Sequence, residues 1–279
     1  MSGSIFVKLG GSIITDKGTP NTARHGVIAR LASEMRSAMT ILDRQAGLHE
    51  EALQIVLGHG SGSFGHVVAR EYGTRQGVHD QAEWKGFTEV AAAAARLNRI
   101  VTDAFLAAGV PVWSLQPSAS ARCRAGDLLW LDIDPVQGAI ARGLVPLLYG
   151  DVALDEIQGA TIISTEQVFA FLARRLRPAR IILIGQVDGV FAADPVRDPL
   201  AEPIPKISSD NWDAIRTTLS GSYATDVTGG MLAKVEEMVG LARELPGLTV
   251  NILSGERAGA LETALVSSPE SVPGSLVCW

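Results

Sequence analysis

Four short stretches of this chain gather residue types suited to gripping an anion. The first is Lys8-Leu9-Gly10-Gly11-Ser12, with Thr15-Asp16-Lys17 close behind. A lysine near the end of an apolar run, beside two glycines, can reach over a turn that glycine keeps open and meet a phosphate. Lys17 follows a polar turn and can fold back over the same edge. The second stretch, residues 58 to 66, reads GHGSGSFGH, with four glycines, two serines and two histidines in nine positions. Glycine at 60, 62 and 65 lets the backbone approach an oxyanion closely, and Ser61 and Ser63 add hydroxyl groups. His66 falls in the first turn of the following helix, where unpaired backbone N–H groups would hold an anion. It reads as a ligand, whereas His59 reads as a strand-end residue bonded locally. The loop lacks the Gly-Lys-Ser/Thr ending of a P-loop. It also lacks the acidic residue that follows a dinucleotide-binding fingerprint.

The third stretch is Gly185-Gln186-Val187-Asp188-Gly189-Val190-Phe191, in which Asp188 and the later Asp194 flank a hairpin-like turn. In the fourth, Gly229 and Gly230 open a helix and Lys234 lies one turn in. Taken singly, turn chemistry accounts for the aspartates and an exposed helix start for the lysine.

The elements around these stretches alternate. Short apolar runs at IFVKL, LQIVL, VPVWSL, GLVPLLYG, ARIILIG and LTVNILSG read as strands. Helical patterns lie between them. One runs from Thr22, a candidate N-cap, towards Arg44, and another from about Gln81 to Ala108. This alternation predicts an α/β protein with a largely parallel sheet covered on both faces. Ligands in such sheets bind at the carboxyl ends of the strands, where the glycine clusters fall. Residues 197–211 and 220–230 read as surface excursions, and the four arginines of RRLRPAR as a solvated helix end.

The totals narrow the function classes. With 279 residues, 47% hydrophobic and 19% charged, the chain should bury a substantial core. A net charge of −6 argues against a nucleic-acid binder. Cys123 and Cys278 form neither a disulfide framework nor a zinc spacing, so no metal cluster is expected. The start MSGSIFVKLGGS has no secretory pattern. The alanine-rich run from Glu89 to Gly109 is interrupted by Arg96, Arg99 and Asp103, which marks a packed helix rather than a membrane span. A reduced, cytoplasmic, globular protein is expected.

In this order the motifs resemble those of the amino-acid kinase family, and among its members those of the isopentenyl phosphate kinases. The resemblance runs from Lys8 to at least Ser254. It rests on KLGGS, TDK at 15–17, GSFGH at 62–66, LN at 97–98, PSAS from Pro117, GD at 150–151, VDGVF with a following DP, and TGGM with Lys234. It implies an open, mostly parallel sheet sandwiched between helix layers. One continuous fold would carry two lobes, residues 1–163 for a phosphate acceptor and 164–279 for the nucleotide. It implies transfer from ATP, with Mg2+, to isopentenyl phosphate, and a homodimer. Lys8 and Lys17 would contact the phosphoryl group in flight. Gly10, Gly11 and Gly62 would supply backbone donors at the nucleotide phosphates. Ser61, His66 and Thr165 would hold the acceptor, Asp188 and Gly189 would lie by the nucleotide, and Lys234 would reach its phosphates.

The sequence departs from the family pattern in three places. Ser61 replaces a glycine. Ser164-Thr165-Glu166-Gln167 stands where SGDD is usual, and Gln186 stands where a carboxylate is usual. The chemistry needs no general base, because a phosphate monoester is mostly dianionic at neutral pH and is already a nucleophile. Two further readings are open: a kinase for another small anion, such as a phosphonate or carbamate, and a non-catalytic nucleotide-binding regulator. An isoprenoid tail would need an apolar wall, which Phe87, Val90, Ala91 and Ala94 could offer.

Overall fold

The structure is a computed structural model that describes residues 3–46, 53–193, 195, 198, 200–222 and 230–279; of residues 46, 66, 67, 221, 222 and 230 only the backbone is described. Asp194, Gly229 and most of the expected 220–230 excursion lie outside the described residues. So does the side chain of His66.

Among the described residues the elements run β1 (Ile5–Leu9), α1 (Gly11–Ile14), α2 (His25–Ala46), β2 (Ile55–His59), α3 (Gly62–Tyr72), α4 (Gln81–Ala107), β3 (Val112–Ser114), β4 (Arg122–Arg124) and β5 (Asp127–Trp130). They continue with α5 (Asp134–Ile140), β6 (Val145–Tyr149), β7 (Asp151–Asp155), β8 (Gly159–Ile163), α6 (Thr165–Leu176), β9 (Arg180–Gly185), β10 (Val190–Phe191), β11 (Pro203–Ile204) and β12 (Lys206–Ile207). The last are α7 (Trp212–Ser222), α8 (Gly230–Glu244), β13 (Thr249–Ser254), α9 (Ala260–Val266) and β14 (Ser275–Cys278).

The main sheet has the order β12-β14-β13-β9-β1-β2-β6-β3. Its pairs are parallel except β13 with β14. Side chains alternate across a strand, so each strand feeds two cores. Phe6, Val56, Leu148 and Ile181 pack on one face against Val168, Phe169 and Leu172 of α6, Leu219 of α7 and Met238 of α8. Val7, Leu9, Leu57 and Ile182 pack on the other face against Leu31 and Met35 of α2, Leu97 and Phe105 of α4, and Leu261 of α9. This is the open, mostly parallel sheet between helix layers that the motif resemblance implied. Residues 122–163 add a smaller sheet of order β5-β4-β7-β8.

Strands β1 and β9 are parallel neighbours whose onward connections leave towards opposite edges of the sheet. After β1 the chain moves towards β2, and after β9 towards β13. The loops diverge there and leave a crevice at the carboxyl ends of the strands, the usual ligand position in such sheets.

Three local expectations need correction. Helix α2 starts at His25, and the Thr22 hydroxyl donates to Pro20 O, 3.1 Å, so Thr22 is not its N-cap. Within 197–211, Lys206 and Ile207 form β12 and pair with β14 at the sheet edge, because Ile207 has a place in the core. Arg180 is buried at the start of β9, its Nε donating to Asn251 Oδ1, 2.7 Å, so that end of RRLRPAR is not solvated.

Candidate functional site: two glycine turns around a buried lysine

The turns after β1 and β2 meet at the crevice. A Cβ on Gly11 would lie 2.2 Å from Gly62 N, and one on Gly60 would lie 2.9 Å from Gly11 N. Gly62 has φ +49°, and a Cβ there would lie 2.1 Å from Thr15 Oγ1. The glycines are needed because two backbones touch here, and one of them is left-handed. Thr15 stitches the turns together: its hydroxyl donates to Gly11 O, 2.7 Å, and accepts from Ser63 N, 3.0 Å. Gly60 N donates to Leu9 O and Gly10 N to Ile184 O, so the strand ends are locked in register. The N–H groups of Gly11, Ser12 and Ser61 have no acceptor among the described residues. The result is a cluster of backbone donors at two short helix starts, an arrangement that favours negative charge. Ser61 precedes α3 without a side-chain cap, and its side chain lies over Gly65, where a Cβ would come 2.5 Å from Ser61 Oγ.

Lys8 sits beneath this cradle. The alternation that buries Phe6 against α6 sends Lys8 to the same face, and there its Nζ meets Glu166 Oε1 at 2.6 Å. Both residues are buried, at 7% and 6% exposure. Gly58, paired with Lys8 across β1 and β2, makes room for this contact. A Cβ there would strike Phe169 and Thr165 at 2.7 Å, so a side chain would push α6 away. Burial works against the Glu166 carboxylate, but the charges of Lys8 and Lys234 outweigh it and hold its pKa below the usual range. Lys234, exposed on α8, therefore shares the field of Glu166 with Lys8. Glu237, one turn further along α8, is pushed up to about 7 by burial and by the Glu166 charge.

Lys17 lies apart from this pair. It is exposed and lines an open cleft with Thr15, Asp16, Arg24, Gln186 and Glu256. Among the described residues no acid pairs with it, whereas Arg24 is tied to Glu256 by two hydrogen bonds of 2.6 and 2.9 Å. Asp188 accepts from Ser254 N, 3.3 Å, and pairs with Arg257, 3.2 Å, tying the β9–β10 turn to the end of β13. Gly189, at φ +108°, packs so closely on Ser275 that a Cβ would lie 2.7 Å from its hydroxyl. The Thr165 hydroxyl is buried and donates to His59 O, 2.6 Å.

Sequence reasoning passed over Glu166. Its position follows from a capping box that does not depend on the SGDD pattern. Ser164 Oγ accepts from Gln167 N, and Gln167 Oε1 accepts from Ser164 N. That starts α6 and puts Glu166 in its first turn, where a carboxylate is favoured. The available signal was Lys8 itself, since a lysine in an otherwise apolar buried strand needs a counter-charge. No three histidine, cysteine or carboxylate side chains among the described residues group as a metal site. Nor is any described helix long and apolar enough to cross a membrane.

Known proteins resemble this chain over most of its length. The isopentenyl phosphate kinase of Methanothermobacter thermautotrophicus is 35% identical over 98% of this chain and 98% of its own. That of Methanocaldococcus jannaschii is 33% identical over 83% of this chain and 85% of its own. A crystal structure of isopentenyl phosphate kinase superposes with a TM-score of 0.80 at 31% identity, covering 98% of this chain and 99% of the other. Residues 4–254, which span both glycine turns, Lys8, Glu166 and Lys234, match the amino acid kinase family, and the chain belongs to it.

Proposed function

We propose that this protein transfers the γ-phosphoryl group of ATP to the phosphate of isopentenyl phosphate, giving isopentenyl diphosphate and ADP. The observation that carries this reading is near full-length similarity to isopentenyl phosphate kinases, joined to a buried lysine beneath two touching glycine turns. The acceptor is a dianion near neutral pH, so the main barrier is repulsion between two anions. Lys8, Lys17 and Lys234 supply positive charge, and the N–H groups of Gly11 and Ser61 supply fixed dipoles. Glu166 holds Lys8 aimed before substrate arrives. Gly10 and Gly62 shape the cradle, with Asp188 and Gly189 holding the turn beside the nucleotide.

In this reading, Mg2+ arrives on the phosphates of ATP as part of the substrate, since Glu166 is spent on Lys8 and Gln186 carries no charge. Residues 1–163 take the acceptor and 164–279 the nucleotide. Ser61 and His66 grip the acceptor's phosphate at the start of α3, and the chain near Thr165 backs that pocket. Helix α4 forms the apolar wall. Val90 and Ala94 are buried, which leaves half-buried Phe87 and Ala91 for the tail. The enzyme works as a cytoplasmic homodimer.

ADP release with a panel of acceptors tests the reading. Turnover should be highest with isopentenyl phosphate, and His66→Ala should lose about ten- to a few hundred-fold in kcat/KM for it, the worth of one charge-assisted hydrogen bond. Preferred turnover of a carbamate or phosphonate would move the acceptor class. No turnover with any acceptor would leave a nucleotide-binding regulator.

A further inference from the structure

His59 closes β2 and is completely buried. It points to the α4 face, as Leu57 does, and so does not meet Lys8 directly. Its Nδ1 lies 3.0 Å from Gly60 O and its Nε2 lies 3.2 Å from Asn98 Nδ2. Asn98, also buried, accepts at Oδ1 from the Ser114 hydroxyl. That contact turns the Asn98 NH2 group towards the ring. Nε2 is then the acceptor, and the single imidazole proton sits on Nδ1 and donates to Gly60 O. The ring stacks on Tyr149, with centroids 5.5 Å apart and planes 7° apart. Burial outweighs the Gly60 hydrogen bond and, with the Lys8 charge, lowers the His59 pKa to about 4.

We propose that His59 and Asn98 are positioning residues for phosphoryl transfer: Asn98 holds His59 as the neutral Nδ1–H tautomer, which anchors the Gly60 carbonyl and turns the Ser61 N–H into the phosphate cradle. This rests on the phosphotransfer reading above. A trans peptide carries its C=O and N–H on opposite sides, so anchoring Gly60 O fixes the direction of the next N–H. That N–H has no acceptor among the described residues. The rest of the turn is already held, because Gly60 N donates to Leu9 O and His59 O accepts from Gly150 N and Thr165 Oγ1. The Gly60–Ser61 peptide is the remaining hinge, and among the described residues the imidazole makes its one hydrogen bond. Among the described residues Tyr149 from β6 and Asn98 from α4 meet the ring, Lys8 from β1 acts on it through its charge, and the Thr165 hydroxyl from α6 meets the His59 carbonyl.

Imidazole 1H–15N spectra of the intact protein test the tautomer without any mutation. Between about pH 5.5 and 8.5, His59 should show a protonated Nδ1 and a bare Nε2 throughout. An Nε2–H tautomer, or a ring that titrates in that window, overturns the proposal. Asn98→Asp tests the consequence. A carboxylate at 98 accepts a hydrogen bond from Nε2–H, so at high pH the single proton of the neutral ring sits on Nε2 and Nδ1 turns a lone pair on Gly60 O. At lower pH the imidazolium restores the Nδ1 donor. The expected result is a loss of about tenfold or more in kcat/KM for the acceptor at pH 8, recovering as pH falls, with KM for ATP unchanged. A wild-type pH profile in a folded, active Asn98→Asp protein overturns the positioning role alone. A wild-type chain that phosphorylates no acceptor overturns the functional reading and takes this proposal with it.

Discussion

Lys8 and Glu166 stand 158 positions apart in the chain and meet at 2.6 Å inside the protein. One comes from the first strand and the other from the first turn of α6, so the pair ties α6 to the carboxyl edge of β1. A buried ion pair stabilises little relative to an apolar pair, but removing one partner leaves an uncompensated charge. Glu166→Gln should therefore lower folding stability by about 3–5 kcal/mol, measured by urea denaturation. It should also cut turnover, because Lys8 loses the partner that aims its ammonium group. Glu166→Asp keeps the charge with one methylene fewer and should fall between. Unchanged stability and turnover in Glu166→Gln would show that the pair does neither job.

Lys17 and Lys234 should separate kinetically. Lys17 is exposed and lines the open cleft, whereas Lys234 lies on α8 and acts on the Glu166 charge. Lys17→Ala should lower kcat by a few kcal/mol of barrier while the ATP dissociation constant moves little. Lys234→Ala should instead weaken ATP and leave isopentenyl phosphate binding intact. Calorimetry with each ligand, beside steady-state rates, checks both. Equal losses for both ligands in Lys234→Ala would end the assignment of lobes.

The glycines give a stability test with an internal control. Gly62→Ala puts a Cβ 2.1 Å from Thr15 Oγ1 and 2.5 Å from Gly11 O, on a left-handed backbone. The strain alone costs about 1–2 kcal/mol and the backbone clash adds to it. Gly240, inside α8, has nothing within 4 Å of a built Cβ. Gly240→Ala should stabilise by about 0.5–1 kcal/mol through helix propensity. Denaturation midpoints moving in opposite directions are expected, and a tolerated Gly62→Ala would mean the two turns are not locked together.

Much of this site is legible in the sequence because it is built from strand ends. An apolar run followed by glycine marks a strand and its turn, and parallel pairing sends all such turns to one edge. Lys8, Gly11, Gly60 and Gly62 could be placed this way. Glu166 could not, since its partner lies 158 positions away and only α6 packing over Gly58 brings them together. His59 was readable as locally bonded, and Asn98 stood out only within the LN pair of an alanine-rich helix, with nothing in the spacing to join the two. The smaller sheet, β5-β4-β7-β8, was also hidden. Its strands are short and carry polar or charged residues such as Arg122, Arg124 and Asp155, so hydrophobic periodicity is weak there. Asp155 accepts from the N–H groups of Ala125, Gly126, Ile157 and Gln158, contacts that no spacing rule would reveal.

The pH dependence of stability should carry the mark of Glu237. Burial and the Glu166 carboxylate raise its pKa to about 7 in the folded protein, against 4.5 for an ordinary glutamate. Between those values the folded chain holds a proton that the unfolded chain has released. Stability therefore declines as pH rises from about 4.5 through 7, by something on the order of 2–3 kcal/mol. His59 works in the opposite sense. It is buried neutral with a pKa of about 4, so its contribution is complete above about 6.5 and is lost as pH falls towards 4. The two trends overlap in the wild-type curve, which is why the comparison must be between variants. Glu237→Gln keeps the shape and a permanently neutral side chain, and leaves His59 untouched. Urea denaturation from pH 5 to 8 should show the variant gaining on the wild type as pH rises, with the curves meeting at the acid end. Curves that stay parallel across the range would mean that Glu237 is ionised in the fold and that Lys8 and Arg174 already balance its charge.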